Sequence, residues 1–194
     1  MIKAELEVKT KNLKNSIIIG TNFLNQLSKI FKKKGLNFNK CFLLIDNKIK
    51  KKKIKEITKS IKQEKIIFLF NASEKNKNIN NVIKILNLLQ KNNFNRNDCI
   101  LTVGGGITGD TGGFAASLFK RGLKLINIPT TLLAQVDSSI GGKTGVNTMY
   151  GKNLIGSFYQ PNLVLADIFF LKTLPKREII CGYAEILKHS LISD

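Results

Sequence analysis

Apolar residues along the chain follow two alternating patterns. Short, almost fully apolar runs, such as 41–46 and 99–103, are typical of strands that are buried on both faces. Between such runs lie longer segments, such as 50–63 and 79–92, in which apolar residues recur every three or four positions. Strands that alternate with amphipathic helices predict a parallel sheet covered by helices, which is an α/β, Rossmann-like fold.

The chain begins with two short segments, 4–10 and 16–20, that predict a β-hairpin ahead of this sheet. A helix is predicted at 23–33 and ends before the stop signal Gly35. Another strand is predicted at 65–70, where the run is again apolar.

Two predicted helices have a defined apolar side. In 50–63 the isoleucines Ile54, Ile57 and Ile61 recur at helical spacing, so the lysines between them are expected to face solvent. In 79–92 the expected buried side consists of Ile79, Val82, Ile83, Leu86 and Leu89. A last helix is predicted from 176 to 192.

The net charge of +19 comes from 32 basic and 13 acidic residues and first suggests a polyanion such as nucleic acid as a partner. The basic residues are nearly all lysines accompanied by Asn and Ile, and a nucleic-acid surface usually adds arginines. The pattern favours an A/T-rich codon bias over solvated faces, with 48–56 as the best candidate basic patch. We therefore expect no nucleic-acid partner.

The three cysteines, Cys41, Cys99 and Cys181, lie far apart. They predict neither a disulfide framework nor a cysteine metal site, and they indicate a reducing compartment. The amino-terminal residues form no apolar signal region, and no apolar run approaches the ~20 residues that span a membrane. We expect a cytoplasmic protein without membrane contact.

Candidate chemistry starts in the glycine-rich segment 104–110, GGGITGD, which follows the strand at 99–103. Glycines let backbone N–H groups approach a pyrophosphate, and the helix expected from 111 adds a partial positive charge. The segment matches G-x-G-x-x-G only loosely, so an ordinary strand-to-helix turn remains an alternative. Thr130 and Thr131 follow the next strand and are candidates for ribose or phosphate binding, with helix capping by Thr131 as the alternative.

A second group of polar residues lies in DSSIGGKTGVN and the GKN that follows it, at 137–153. Lys143 and Lys152 each follow a glycine, and lysine is otherwise absent from 126–170. Their alternatives are exposed lysines and, for Asp137, a turn cap. We interpret them as part of a glycine-rich loop that binds an anion.

Four segments, 104–122, 128–147, 151–161 and 170–188, together closely resemble 3-dehydroquinate synthases, and the resemblance covers 97–194 almost without gaps. It implies an enzyme of the shikimate pathway that uses NAD and a divalent metal, zinc or sometimes cobalt, usually as a homodimer. The reaction implied converts 3-deoxy-D-arabino-heptulosonate 7-phosphate, a small sugar-acid phosphate, to 3-dehydroquinate. A sibling cyclase such as 2-deoxy-scyllo-inosose synthase, or a non-catalytic NAD-binding remnant, remains an alternative.

The resemblance also implies residue roles. The NAD contacts would be Asp46, Glu74, Lys77, Gly105, Gly106, Asp110, Thr130 and Thr131, joined by Asp137, Lys143 and Lys152. The substrate and catalytic contacts would be Asp137, Lys143, Lys152, Asn153 and Lys188, with Arg121 contributed across the dimer. Glu185 would be a metal ligand. The chain departs from the family pattern at Lys48, where relatives often carry Asn.

The resemblance divides the chain into an NAD-binding domain at 1–172 and, at 173–194, the start of an all-helical metal and substrate domain. Glu185 and Lys188 lie three residues apart and are expected to share a helix face. His189 lies four residues after Glu185, but the family takes its histidine ligands from later positions, so we interpret His189 as structural. We expect an incomplete metal site and no turnover by these 194 residues alone.

Overall fold

Seven strands form one sheet in the computed structural model, which describes residues 1–10 and 13–192. In chain order these strands are β1 (Ile2–Thr10), β2 (Leu13–Gly20), β3 (Lys40–Asp46), β4 (Glu64–Phe70), β5 (Cys99–Gly104), β6 (Lys124–Pro129) and, after a separate hairpin, β9 (Leu163–Asp167). Their order across the sheet is β1-β2-β9-β6-β5-β3-β4. Within the described part of this sheet, β1 and β2 pair antiparallel and all other neighbours are parallel. The predicted α/β fold with an initial hairpin is confirmed.

Four helices cover the two faces of this sheet in the described part of the chain: α1 (Leu27–Lys33), α2 (Lys51–Ser60), α3 (Ile79–Lys91) and α4 (Gly106–Leu118). A fifth helix, α5 (Lys176–Ile192), packs on the turn Ala134–Ser138 that follows β6. Apolar residues of α1 and α2 pack on one face, and those of α3 and α4 pack on the other. Alternate residues of β3 serve the two cores: Leu43 contributes to the first and Leu44 to the second, both fully buried. The predicted bounds of the last helix, 176 to 192, are confirmed.

The separate hairpin consists of β7 (Lys143–Thr148) and β8 (Gly151–Phe158), paired antiparallel. It packs on α4, with Val146 fully buried in the second core. The expected glycine-rich loop is therefore wrong. Gly145 and Gly156 face each other, and a Cβ on Gly156 would lie 2.1 Å from the backbone oxygen of Thr144. The glycines that suggested a loop permit close contact between two strands.

The expected buried side of α3 is partly wrong. Val82 and Leu89 are buried as predicted, but Ile79 is 37% exposed and Ile83 is 46% exposed. Ile85, which was not predicted, is fully buried. The helix therefore presents a narrow row of residues to the sheet, and its outer isoleucines lie beside that row. In α2 and the residue that follows it, Ile57 and Ile61 are buried as predicted.

All three cysteines are free thiols, as predicted. Cys41 and Cys99 are buried opposite each other on β3 and β5, whereas Cys181 is exposed on α5. Burial raises the pKa of the Cys99 thiol well above its ordinary value, so Cys99 remains protonated. Among the described residues, no helix combines the length and the apolar character that crossing a membrane requires.

Candidate active site

A cleft of about 1720 Å³ opens where the parallel strands β3, β5 and β6 end. Ligands of open α/β sheets bind at this edge, because loops diverge there and helix N-termini point into the space. The structure brings most of the predicted site residues to its walls: Asp46, Glu74, Lys77, Gly105, Gly106, Asp110, Thr130, Thr131, Asp137, Lys143 and Asn153. Residues from distant parts of the sequence thus form one site.

The glycine segment forms the floor of the cleft. α4 begins at Gly106, five residues earlier than expected, and Gly105 caps it without a side-chain hydrogen bond. The N–H of Thr108 in its first turn donates to the carbonyl of Gly105 at 3.1 Å. Among the described residues this leaves the N–H groups of Gly106 and Ile107 for a ligand. A Cβ on Gly105 would lie 3.1 Å from Thr131 Cγ2, and one on Gly106 would lie 3.0 Å from Ser138 Oγ. The missing side chains keep a gap open between α4 and the segment that follows β6.

The threonine pair closes this gap on its far side. The N–H of Thr130 donates to the carbonyl of Gly104 at 2.9 Å. Thr131 Oγ1 accepts from the N–H of Ala134 at 3.2 Å, so the capping alternative is confirmed. Capping uses the oxygen as an acceptor and leaves the hydroxyl proton for a second partner. Thr131 can therefore cap and also donate to a ligand.

Lys77 joins three elements of the cleft wall. Its side chain is only 7% exposed, and its Nζ lies 2.5 Å from Asp110 Oδ2 and 2.5 Å from Asn153 Oδ1. Lys77 precedes α3, Asp110 lies on α4 and Asn153 on β8. Asn153 adopts a positive φ of 57°, and its N–H donates to Asn147 Oδ1 at 3.0 Å. One buried ammonium group thus fixes the hairpin against the sheet domain.

Two cleft carboxyl groups have raised pKa values. Burial raises the pKa of Asp110, Lys77 lowers it, and the nearby Asp137 and Glu74 raise it further. Burial also raises the pKa of Asp46, against a hydrogen bond from the N–H of Lys48 at 3.0 Å. Both carboxyl groups therefore hold a proton at a higher pH than exposed aspartates.

The raised pKa of Asp110 predicts a pH dependence of stability. The folded protein retains this proton above the ordinary value of 3.8, whereas the unfolded chain loses it. The stabilising contribution of Asp110 is therefore fully present below 3.8 and is lost as the pH rises through the folded-state pKa. We expect the free energy of unfolding of Asp110→Asn, relative to the unchanged protein, to increase with pH in this range. Urea unfolding at a series of pH values measures it, and a decrease would contradict the prediction.

Four predicted residues lie outside the cleft walls: Lys152, Arg121, Lys188 and Glu185. Lys152 is 73% exposed on β8 and lies 3.8 Å from Glu74 Oε2. Arg121 lies beyond the carboxyl end of α4, exposed and with a φ of 67°, away from the edge where the cleft opens. Lys188 lies on α5, where its Nζ contacts Glu185 Oε1. The expectation that Glu185 and Lys188 share a helix face is confirmed, and the role of Arg121 across a dimer stays a prediction.

His189 lies beside the predicted metal ligand and is not packed in a core. Its side chain is 52% exposed, and its Nε2 lies 3.5 Å from Glu185 Oε1. The ligand atoms of Asp137, Glu185 and His189 all lie within 4.8 Å of one another. Asp137 also lines the cleft, so this group borders it. The four-residue spacing of Glu185 and His189 was the sequence signal for this contact.

Sequence reasoning missed two polar residues that form hydrogen bonds to residues of the cleft wall. Asn147 donates to Glu74 Oε2 at 2.8 Å and accepts from Asn153, so it links the hairpin to the turn before α3. Asp167 is fully buried at the end of β9, and its Oδ1 accepts from the N–H groups of Asn22 and Phe169. Asp167, like Asp46, is the last residue of an apolar run, and this position in the sequence could have identified it.

A family model described as 3-dehydroquinate synthase N-terminal matches residues 67–181. A 3-dehydroquinate synthase of Pelagibacter ubique is 60% identical over 190 residues, which cover 97% of this chain and 52% of the relative. The chain spans about half the length of the curated relatives it matches.

Two solved structures have the same architecture. A 2-deoxy-scyllo-inosose synthase complexed with carbaglucose-6-phosphate, NAD+ and Co2+ has a TM-score of 0.91 and 27% identity, covering 98% of this chain and 52% of its own. A 2-epi-5-epi-valiolone synthase from Streptomyces hygroscopicus with NAD+ and Zn2+ bound has a TM-score of 0.82 and 28% identity, covering 93% and 50%. Both are related to this chain through fold and sequence.

Proposed function

The chain belongs to the 3-dehydroquinate synthase family, and on this premise we propose that it forms the NAD-binding part of an enzyme that makes 3-dehydroquinate. The observation that carries the proposal is that three groups of residues line one cleft. They are the glycine turn Gly105–Gly106, the threonine pair Thr130 and Thr131, and the cluster of Lys77, Asp110 and Asn153. The 60% identity to the Pelagibacter synthase, against 27% to the scyllo-inosose synthase, favours this activity over that of a sibling cyclase.

The cleft suits NAD in its chemistry. The uncapped N-terminus of α4 offers N–H donors for a pyrophosphate, and Asp46 at the end of β3 offers an acceptor for ribose hydroxyls. Thr130 and Thr131 line the same space. NAD would supply a reversible hydride acceptor for one hydroxyl of the substrate. The residues of this chain bind and orient the two molecules.

The substrate side of the cleft lies toward the hairpin. Lys143 and Asn153 line the wall there and would meet the phosphate and carboxylate of 3-deoxy-D-arabino-heptulosonate 7-phosphate. We assign two more lysines to the same anions: Lys152, which is exposed on β8, and Lys188, which lies on α5. Asp137, between the glycine turn and α5, would accept from a substrate hydroxyl.

The proposal extends to organisation and partners. Residues 1–172 form the NAD-binding domain, and 173–194 begin a helical domain in which Glu185 binds zinc or cobalt. The metal would polarise the substrate oxygens. The enzyme would work in the cytoplasm as a homodimer in which Arg121 reaches the partner's site.

The cofactor assignment is tested by titrating the protein with NADH and following nucleotide fluorescence. We expect saturable binding that Gly105→Val weakens at least about tenfold, because the new side chain enters the gap beside Thr131. Gly109→Ala is the matched control, since a Cβ there meets nothing within 4 Å. Absence of NADH binding, or equal loss in both variants, would contradict the assignment.

Turnover is tested through phosphate release. The chain alone is expected to release none, whereas a chimera that continues it with the carboxyl-terminal half of the Pelagibacter relative is expected to be active. In that chimera Lys152→Ala should lower phosphate release about tenfold without changing NADH binding, because its ammonium meets the substrate. Lys75→Ala, an exposed lysine of the neighbouring turn, is the control. Equal loss of NADH binding would assign Lys152 to the cofactor.

A further inference from the structure

The ladder between β7 and β8 is irregular at Asn147. Its register shifts between Val146 and Thr148, so that Asn147 alone lies opposite residues 152–154 of β8. Asn153, in the middle of these, has a left-handed backbone with a φ of 57°. Its N–H donates to Asn147 Oδ1 at 3.0 Å. A side chain of β7 thus spans the irregular part of the hairpin.

The same residue joins the hairpin to the turn before α3. Asn147 Nδ2 donates to Glu74 Oε2 at 2.8 Å, and the backbone N–H of Asn147 donates to the carbonyl of Lys77 at 2.8 Å. Asn147 also forms a β-bridge with Asn78. One residue therefore fixes β8 and this turn relative to each other.

The amide group of Asn147 suits this position. An ionised carboxylate such as that of Glu74 only accepts hydrogen bonds, whereas the backbone N–H of Asn153 only donates. A primary amide provides one group of each kind, and the two partners fix its orientation. Leucine, of similar size, would satisfy neither partner. A carboxylate would satisfy only Asn153 and would lie against Glu74.

The backbone conformation of Asn153 decides where its side chain points. A positive φ is uncommon outside glycine and needs support from its surroundings. In this conformation Asn153 Oδ1 accepts from Lys77 Nζ at 2.5 Å in the cleft wall. The preceding residue, Lys152, places its Nζ 3.8 Å from Glu74 Oε2. The hydrogen bond to Asn147 therefore sets the direction of two neighbouring side chains of β8.

We propose that Asn147 is a positioning residue of this site. Glu74, Lys77 and Asn153 line the cleft, whereas Asn147 is not among the described residues that do so. Asn147 acts through them, because it holds Glu74 and the left-handed Asn153 in the arrangement that binds NAD and the sugar-acid phosphate. The proposal deepens the proposed function and rests on it for the identity of these ligands. The roles implied by the family resemblance do not include Asn147.

Amide hydrogen exchange of the purified 194-residue protein, followed by NMR, tests the structural step. We expect Asn147→Leu to accelerate exchange of the Asn153 N–H at least about tenfold, because this group loses its acceptor. Thr148→Ala is the matched control, since it removes the hydrogen bond from the N–H of Tyr150 to Thr148 Oγ1, which stays within the turn of the hairpin. Unchanged exchange at Asn153 in Asn147→Leu would overturn the proposal.

Titration with NADH tests the functional step. Asn147→Leu is expected to weaken NADH binding about tenfold, and Thr148→Ala to change it less than about twofold. Equal affinities of the unchanged protein and Asn147→Leu for NADH would count against a positioning role.

A paired substitution distinguishes positioning from a general loss of structure. Asn147→Asp combined with Glu74→Gln keeps the net charge and exchanges donor and acceptor. The new amide at 74 donates to the new carboxylate at 147, which still accepts from Asn153. We expect the pair to lose less NADH affinity than the sum of the losses in the two single variants. Additive losses would overturn the proposal, and this comparison does not require Asn147→Leu to fold.

The outcomes separate this inference from the proposed function. Absence of NADH binding by the unchanged protein would refute the cofactor assignment and the positioning role that rests on it. Faster exchange at Asn153 with undiminished NADH binding would refute the positioning role alone and leave the cofactor assignment standing.

Discussion

Replacing Lys77 by methionine is expected to lower the free energy of unfolding by about 3 kcal/mol, the largest effect of any cleft substitution we consider. The Lys77 side chain is only 7% exposed, and the side chain of its partner Asp110 is 18% exposed. Methionine fills a similar volume but leaves the carboxyl group and the Asn153 amide oxygen without their donor. A buried acceptor that loses its partner retains its full desolvation cost.

Urea unfolding at neutral pH measures this effect. Lys75→Met is the matched control, since Lys75 lies exposed in the same turn and its side chain contacts no acidic group among the described residues. The control should change the free energy of unfolding by less than about 0.5 kcal/mol. Equal effects of the two substitutions would show that the buried cluster contributes nothing. Combining Lys77→Met with Asp110→Asn should recover part of the loss, because the unpaired carboxylate is removed.

Replacing Gly112 by alanine is expected to lower the free energy of unfolding by about 2 kcal/mol. The new Cβ would lie 2.4 Å from Thr102 Cγ2 and 3.0 Å from Leu44 Cδ2, deep between α4 and the sheet. Thr102 cannot move freely, because its hydroxyl donates to Asn127 Oδ1 at 2.7 Å inside the core. The substitution therefore forces α4 outward or breaks a buried hydrogen bond.

Gly109→Ala is the control for this substitution within the same helix. A Cβ at 109 meets nothing within 4 Å, so alanine should raise the free energy of unfolding by about 0.5–1 kcal/mol through its helix propensity. Thermal and urea unfolding of both variants measure the contrast. Stabilisation by both substitutions would show that the contact between α4 and β5 is loose.

The strands and the helices that alternate with them could be predicted because burial on both faces requires continuous apolar runs, as in β3 and β5. The hairpin of β7 and β8 could not, because glycines at 145 and 156 look like loop residues until the opposing strand is known. The strand β9 was missed for a related reason: LVLAD follows Pro161 and Asn162 without a helix to announce it. In both cases the pairing partner defines the strand: β8 does so for β7, and the distant β2 and β6 do so for β9.

For the site, the glycine turn and threonine pair could be placed because parallel strands end at one edge of a sheet. The resemblance supplied Lys77 and Asn153, but no spacing in the sequence shows that they touch across 76 residues. The approach of Asp137 to within 4.8 Å of Glu185 and His189 on α5 was equally hidden, since α5 packs on Leu132 where Gly182 has no side chain. Local sequence patterns do not predict such close contacts between elements that are distant in sequence.

The sheet order has a consequence for biosynthesis. β2 joins the sheet only through β9, so Ser16 pairs with Leu163 and Gly20 with Asp167. A ribosome that adds about 5–20 residues per second makes β9 roughly 7–30 s after β2. A lone two-stranded hairpin is marginally stable in water. The residues of β1 and β2 are therefore expected to gain stable structure only after β9 has been made.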